Sequence, residues 1–388
     1  MISLLRVLMQ MKTDFGSGWE EKAMPGWMKK LFGVIVDRSV GVNVRLFLAK
    51  VVLNVPEVFV MYRSSWLGAV IEALLDVNAS QRVPELNYIL RDCCNLVLNT
   101  WNDVVPSALK DTPCRLANEL IKLCPVRNDM IRDSNVLFVT ELIAFWKDSA
   151  RVDVSLLINY INADDEDTKI KSAKQFTALQ SVSAMLNAGL ANDLRWKDDE
   201  ERTIEDGIIL VMRSKAASLY TLAAEAGGLS YSIDHSLGKD FMRKLKNLIV
   251  SSYDAEDFGR FLALLRNASM HQPKIIDPIM LQRLSFVLPK AIPVDAWALL
   301  AADSLSSAAA NDFVAKETFA HVQSTLGRLI AHRHPVVQHS ILKAISCLLD
   351  YLTLPELERL ILDGDEGLTL AKAPDLLGRT FQGWMPWL

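Results

Sequence analysis

The chain has 388 residues, of which 51% are hydrophobic, and only 17 are glycine and 14 proline. So few turn-formers argue against a fold of many short strands and for one built of helices. A formal charge of -4 and a pI near 5.9 exclude a uniformly basic nucleic-acid binder, so any nucleic-acid contact has to be local.

Helical periodicity is clearest from Asn43 to Asn54, where Val44, Phe47, Leu48, Val51 and Val52 follow the i, i+3, i+4, i+7, i+8 pattern of a buried stripe. Leu46, Ala49 and Leu53 make the other side apolar too, as in a helix sandwiched between neighbours. Pro56 ends it, and Val58, Phe59, Tyr62, Trp66 and Val70 carry a second helix antiparallel to the first. Further helices are predicted at Pro84 to Trp101, Pro106 to Cys124, Asp129 to Trp146, Thr168 to Ala191, Ile208 to Gly227, Lys239 to Ser251 and Asp254 to Ser269. The series continues with Ile275 to Leu288, Pro293 to Ala309, Asp312 to Ala331, Pro335 to Tyr351 and Pro355 to Leu362. Gly227-Gly228 reads as a helix stop. Hairpins of roughly 35 to 47 residues without an exact repeat predict an all-α fold, an α-solenoid of HEAT-like antiparallel pairs. With no long linker in sight, residues 1–388 are expected to form a single continuous array.

The longest uncharged stretch, Gln175 to Asn192, is diluted by Thr177, Gln180, Ser181, Ser183 and Asn187 and reads as a soluble helix. Met1 to Met11 is apolar apart from Arg6, with no small-residue cleavage signal before Trp19, so a secretory leader is not expected. Five cysteines without framework spacing suit reduced thiols, and these features together predict an intracellular, soluble protein with no membrane partner. His332, His334 and His339 are the nearest approach to a zinc set, but helix positions i and i+2 point apart, so no metal is expected. The acidic runs Asp164 to Asp167 and Asp198 to Glu201 lack the glycine turn and closing glutamate of a calcium loop.

Asp-Phe-Gly occurs twice, at Asp14-Phe15-Gly16 and Asp257-Phe258-Gly259. In a kinase that aspartate holds magnesium beside a glycine-rich loop, a strand-borne lysine and a catalytic-loop aspartate, none of which is present. An acidic helix start explains Asp257 better. Nucleotide loops, hydrolase elbows and metalloprotease signatures are also absent, so no catalytic, cofactor-binding or metal residue and no small-molecule substrate is predicted. Lys22, Lys29 and Lys30, beside Trp27, are the candidate phosphate or DNA contacts, with a solvated helix face as the alternative. Two other basic clusters are Lys169/Lys171/Lys174 and Arg243/Lys244/Lys246. Trp27, Phe47, Leu48, Phe59, Trp66 and Trp146 are the predicted packing anchors.

Pro25-Gly26-Trp27-Met28-Lys29-Lys30-Leu31, then Asn43 to Lys50, Glu57-Val58-Phe59 and Trp66-Leu67 follow one another in a distinctive order. Later come Phe145-Trp146-Lys147-Asp148, Ala191-Asn192-Asp193-Leu194, Ala223-Ala224-Glu225, Leu288-Pro289-Lys290, His332-Arg333 and Pro355-Glu356-Leu357. Over about residues 25–362 this series resembles the central HEAT-repeat region of the DNA-dependent protein kinase catalytic subunits, within the phosphatidylinositol 3-kinase-related kinase family. The resemblance implies a non-catalytic scaffold segment upstream of the kinase head, nuclear, in a serine/threonine kinase of double-strand break repair by non-homologous end joining. It implies as partners the rest of the parent chain, the Ku heterodimer and DNA ends. None of the family's catalytic residues has a counterpart here. The alternative reading is a free-standing HEAT-type adaptor or transport factor.

Overall fold

The computed structural model describes residues 24–355, apart from 81–85, 105–108, 110, 196–201, 235–239, 313, 331, 352 and 354. Every regular element among the described residues is helical and none is a strand, an all-α solenoid of HEAT-like hairpins. The predicted helix at Pro355 to Leu362 and the first Asp-Phe-Gly lie almost wholly outside the described residues. The chain divides into two compact units, residues 1–200 and 201–388.

In the first unit the helices are α1 (Gly26–Val36), α2 (Val42–Asn54), α3 (Pro56–Phe59), α4 (Arg63–Ser80), α5 (Leu86–Asn95), α6 (Thr112–Leu123), α7 (Asp129–Trp146), α8 (Val154–Ile161) and α9 (Thr168–Asn187). Pairs α1/α2, α4/α5, α6/α7 and α8/α9 pack as hairpins, and they stack through α1 on α4, α4 on α6, α2 on α5, α5 on α7 and α7 on α9. Each layer thus buries an apolar face that a lone hairpin leaves wet. The stretch Pro56–Asp76 is long and apolar enough by composition to cross a bilayer, which Gln175 to Asn192 is not. Over half of it, 56%, is buried within the protein, as expected of a core helix.

The α2 stripe is rotated from its predicted position. Arg45, Leu48, Ala49, Val51 and Val52 face inward, while Val44 and Phe47 are 49% and 54% exposed. Phe47 is therefore not a packing anchor, because the buried Arg45 takes the inward face. Its Nε–H donates to the Ile35 carbonyl at 2.8 Å, and its terminal nitrogen pairs with Asp76 at 3.0 Å. A cation thereby satisfies one of the carbonyls orphaned at the end of α1.

Local signals set the ends of α9. The Asp167 carboxylate accepts from the N–H groups of Lys169 and Ile170 at 3.0 and 3.4 Å, capping its start. At its other end Gly189 adopts φ +83°, with Gly189 N–H donating to Leu186 and Leu190 N–H to Met185. This is the paired-bond stop that favours glycine. The acidic run before α9 is thus a cap and a set of ion pairs, Asp164 with Lys171 and Asp165 with Lys174.

The second unit contains α10 (Ile204–Met212), α11 (Ala217–Asp234), α12 (Phe241–Asp254), α13 (Phe258–His271), α14 (Pro278–Ala291), α15 (Asp295–Ala309), α16 (Ala315–Ile330) and α17 (Pro335–Leu349). Hairpins α10/α11, α12/α13, α14/α15 and α16/α17 stack with α11, α13, α15 and α17 in one layer and α10, α12, α14 and α16 in the other. Gly227 and Gly228 lie inside α11 and do not stop it. The pair serves close packing instead: a Cβ at Gly228 would sit 2.5 Å from the Ala268 carbonyl oxygen of α13, and one at Gly227 2.9 Å from the Phe241 ring of α12. A steric demand at a helix crossing has the same sequence signature as a terminus.

Side-chain ties join consecutive hairpins at a recurring separation of 37 to 40 residues in both units. In the first, Thr112 of α6 donates to Glu72 of α4 at 3.2 Å, and Arg63 at the start of α4 donates at 2.7 Å to Asp103 in the connection between α5 and α6. In the second, Arg333 donates to both Asp295 oxygens at 2.9 Å. Asp303 on α15 accepts from Arg266 of α13 at 3.0 Å and from the Ser340 hydroxyl of α17. One carboxylate thus spans three hairpins.

Replacing Gly228 by alanine should destabilise the second unit by about 1–3 kcal/mol through overpacking. Gly33→Ala, on the exposed side of α1 with open space around its Cβ, should stabilise the first by about 0.5–1 kcal/mol. Thermal unfolding of each variant, followed by calorimetry, checks both signs.

Candidate functional site

The region around Pro25 to Leu67 is held by rings. Trp27 meets Phe59 edge-on with centroids 6.4 Å apart, Phe59 meets Trp66 at 4.6 Å, and Phe32 meets Trp66 perpendicularly at 5.4 Å. Phe59 and Trp66 are buried, Leu48 and Trp146 nearly so, and Trp27 is half-buried. The Trp27 ring is thereby engaged with the protein rather than presented for stacking on a base. Lys29 and Lys30 stand exposed on α1, across the helix from buried Met28 and Ile35, and Lys22 lies outside the described residues.

Beside this cluster a cavity of about 340 Å³ is lined by Phe32, Arg38, Arg45, Ser64, Glu72 and Asp76 among others. Its charges are mutually paired. Asp76 takes Arg38 at 3.2 Å and Arg45 at 3.0 Å, and Glu72 takes Arg115 at 2.6 Å. The arrangement ties hairpins together and leaves no free nucleophile or acid–base pair among the residues named. Arg45 is not marked out by the periodicity; its signal was the one guanidinium in a mainly apolar helix whose other charge, Lys50, is exposed.

Five of the six residues in the other basic clusters are paired. Lys171 and Lys174 pair with Asp164 and Asp165, Arg243 with Asp240, Lys244 with Asp206, and Lys246 with Asp277. Asp257 of the second Asp-Phe-Gly caps α13 by accepting from Arg260 N–H at 3.1 Å, and Gly259 gives way to Trp297, whose Nε1 would lie 3.0 Å from a Cβ there. Magnesium chemistry is not needed to explain the triplet. His332 is a core histidine with a defined tautomer, its Nε2 facing the Ile292 carbonyl at 3.2 Å while Nδ1 accepts from His334 N–H at 3.1 Å. Among the described residues no group of histidine, cysteine and carboxylate side chains can hold a metal ion.

Cys93, Cys94 and Cys124 are buried. Burial pushes the Cys93 thiol up to about 12, helped by the neighbouring Asp92 charge. Burial raises Cys94 and Cys124 as well, because a thiolate there is stripped of water. All three thiols are protonated at neutral pH and form packing, not nucleophiles.

Comparison with known families decides what this helical array is part of. A model for the DNA-dependent protein kinase catalytic subunit, CC3, matches residues 1–106, and one for DNA-PKcs, CC5, matches residues 114–364. The chain belongs to the DNA-dependent protein kinase catalytic subunit family. Among its relatives is the DNA-dependent protein kinase catalytic subunit of Gallus gallus, 26% identical over 211 residues, covering 53% of this chain and 5% of that protein. The Dictyostelium discoideum protein of the same name is 25% identical over 219 residues, with the same coverages, and that of Canis lupus familiaris 28% over 152 residues, covering 38% and 4%. The matched part of the chain thus spans about a twentieth of the length of these relatives. The two family models together take in most of the packing described above, with the Arg45–Asp76 pair inside the first and the Asp303 tie inside the second.

Two measurements follow from the site chemistry. Alkylation of the folded chain by iodoacetamide at neutral pH should leave Cys93, Cys94 and Cys124 unmodified, whereas half-buried Cys347 should react; peptide mass spectrometry before and after denaturation checks this. Partial burial alone would raise the Asp277 carboxyl, but Met280 N–H and Lys246 outweigh it and hold it below its ordinary value. A depressed folded-state value adds stability above the unfolded carboxylate range, near about 3.9, which is lost as pH falls through the folded one. Asp277→Asn, which keeps a capping oxygen, should therefore be less stable than wild type at pH 7 by about 0.5–1 kcal/mol. The gap should close in acid, as read from melting temperatures across pH 2–7.

Proposed function

We propose that this chain is a non-catalytic scaffold segment of a DNA-dependent protein kinase catalytic subunit, a nuclear serine/threonine kinase of double-strand break repair by non-homologous end joining. The observation that carries the reading is the tandem match of two segments of that family onto stacked helical hairpins. In this reading the two units are consecutive stretches of one array over residues 1–388, joined in a single polypeptide to a kinase head elsewhere in the parent. The array presents surfaces toward the Ku heterodimer and DNA ends and relays their engagement to that head. Lys22, Lys29 and Lys30 are its candidate phosphate contacts, a reading supported by the exposure of Lys29 and Lys30 on α1.

Immunoprecipitation of the native protein with an antibody against this segment, from cells with induced DNA breaks, tests the reading. Mass spectrometry should recover kinase-head peptides within the same polypeptide, together with Ku. A 43.4 kDa protein recovered without either would overturn it and favour a free-standing adaptor. Phosphoryl transfer from ATP by the purified chain would refute the non-catalytic assignment.

A further inference from the structure

Between α12 and α13 the chain reverses over residues 255–257. Glu256 takes φ +57°, its N–H donating to the Tyr253 carbonyl at 2.9 Å while Asp257 N–H donates to that of Ser252 at 3.1 Å, a helix stop more usual with glycine. The tight turn brings the Tyr253 and Phe258 rings to 5.9 Å, and Phe286 of α14 meets Tyr253 edge-on at 6.3 Å. Lys290 stands one helical turn beyond Phe286 on the same face of α14. Its ammonium lies over both phenyl rings, 4.6 Å from the Phe258 centroid and 4.5 Å from that of Phe286. Arg283, on that face too, lies over the Tyr253 ring at 4.9 Å and 3.6 Å from Asp254. Two ring faces from separate helices thus converge on one ammonium, with a third ring packed against both. Phe286 is 57% exposed there, so its ring is not spent on the core.

We propose that these rings form an aromatic cage for a trimethyllysine of another protein, and that Lys290 occupies it in cis as a displaceable plug. Ring faces carry negative charge and hold quaternary ammonium groups. A trimethylammonium resting its methyls on a ring at the usual carbon contact holds its nitrogen about 4–5 Å from that ring. The spacings of 4.5 and 4.6 Å fit that group without moving either ring, whereas a bare ammonium can settle closer. The occupant in the structure is itself a lysyl side chain, so the site admits an ammonium carried on a polypeptide. Lys290 is exposed and strongly hydrated when released, which lets it swing out. Methylation keeps the charge and removes the hydrogens that hold water, so the trimethylated side chain gives up less to enter. A nucleobase stacks on one open ring face. Two faces converging on one point suit a compact cation instead.

Fluorescence anisotropy of the 388-residue chain with a labelled peptide carrying one trimethyllysine tests the proposal. That peptide should bind at least about fivefold more tightly than the same peptide with unmodified lysine, or with an uncharged tert-butyl isostere of trimethyllysine. Lys290→Ala, which empties the cage, should raise the affinity about two- to fivefold. Phe286→Leu keeps apolar bulk at an exposed position and removes the ring, so it should abolish the discrimination while circular dichroism stays unchanged. Four outcomes overturn the proposal. The trimethylated peptide does not bind, or the tert-butyl isostere binds as tightly; Lys290→Ala leaves the affinity unchanged or lowers it; Phe286→Leu, still folded, discriminates as wild type; or free choline binds as tightly as the peptide, which makes the site one for small quaternary amines.

Discussion

Everything in this chain follows from the inability of a single helical hairpin to bury its own apolar face. Each pair covers one side of its neighbour and needs covering in turn, so the core is a succession of interfaces rather than one centre. The polar ties share that period. Arg63 with Asp103, Thr112 with Glu72 and Arg333 with Asp295 each reach across one hairpin, and each fixes the register that apolar contact alone leaves loose. Exposed pairs such as Arg333 with Asp295 contribute little energy, typically 0–1 kcal/mol. Their effect is alignment.

The same constraint explains why residues that look chemical prove architectural. The second Asp-Phe-Gly is a helix cap followed by a glycine under a tryptophan. The adjacent cysteines are core, and the histidine set resolves into His332 bonded to backbone on both ring nitrogens. A family whose relatives are kinases thus contains a long stretch in which titratable groups serve packing and capping.

Much of the fold was legible in the sequence because helix starts and stops are local events. The bounds of α7 at Asp129–Trp146 coincide with those expected, and α17 begins at Pro335, where a first-turn proline is tolerated. What escaped was decided by tertiary contact. Phe47 and Val44 matched the apolar period of α2, yet Arg45 holds the inward face because the end of α1 needs a donor there. Gly227 and Gly228 read as a terminus because nothing local distinguishes a helix stop from a crossing that admits no side chain. The predicted Ile208 to Gly227 helix is two, α10 and α11, with the break between Met212 and Ala217, and α8 was too short to register as periodic.

Asp303 carries a consequence for how such arrays change over evolutionary time. Repeat proteins gain and lose units by duplication and deletion when each interface is self-contained. A carboxylate shared by Arg266 and Ser340 makes two interfaces depend on one side chain. Excising the α14/α15 hairpin would leave the Arg266 guanidinium and the Ser340 hydroxyl without the carboxylate they share, so losing one hairpin disturbs both of its neighbours.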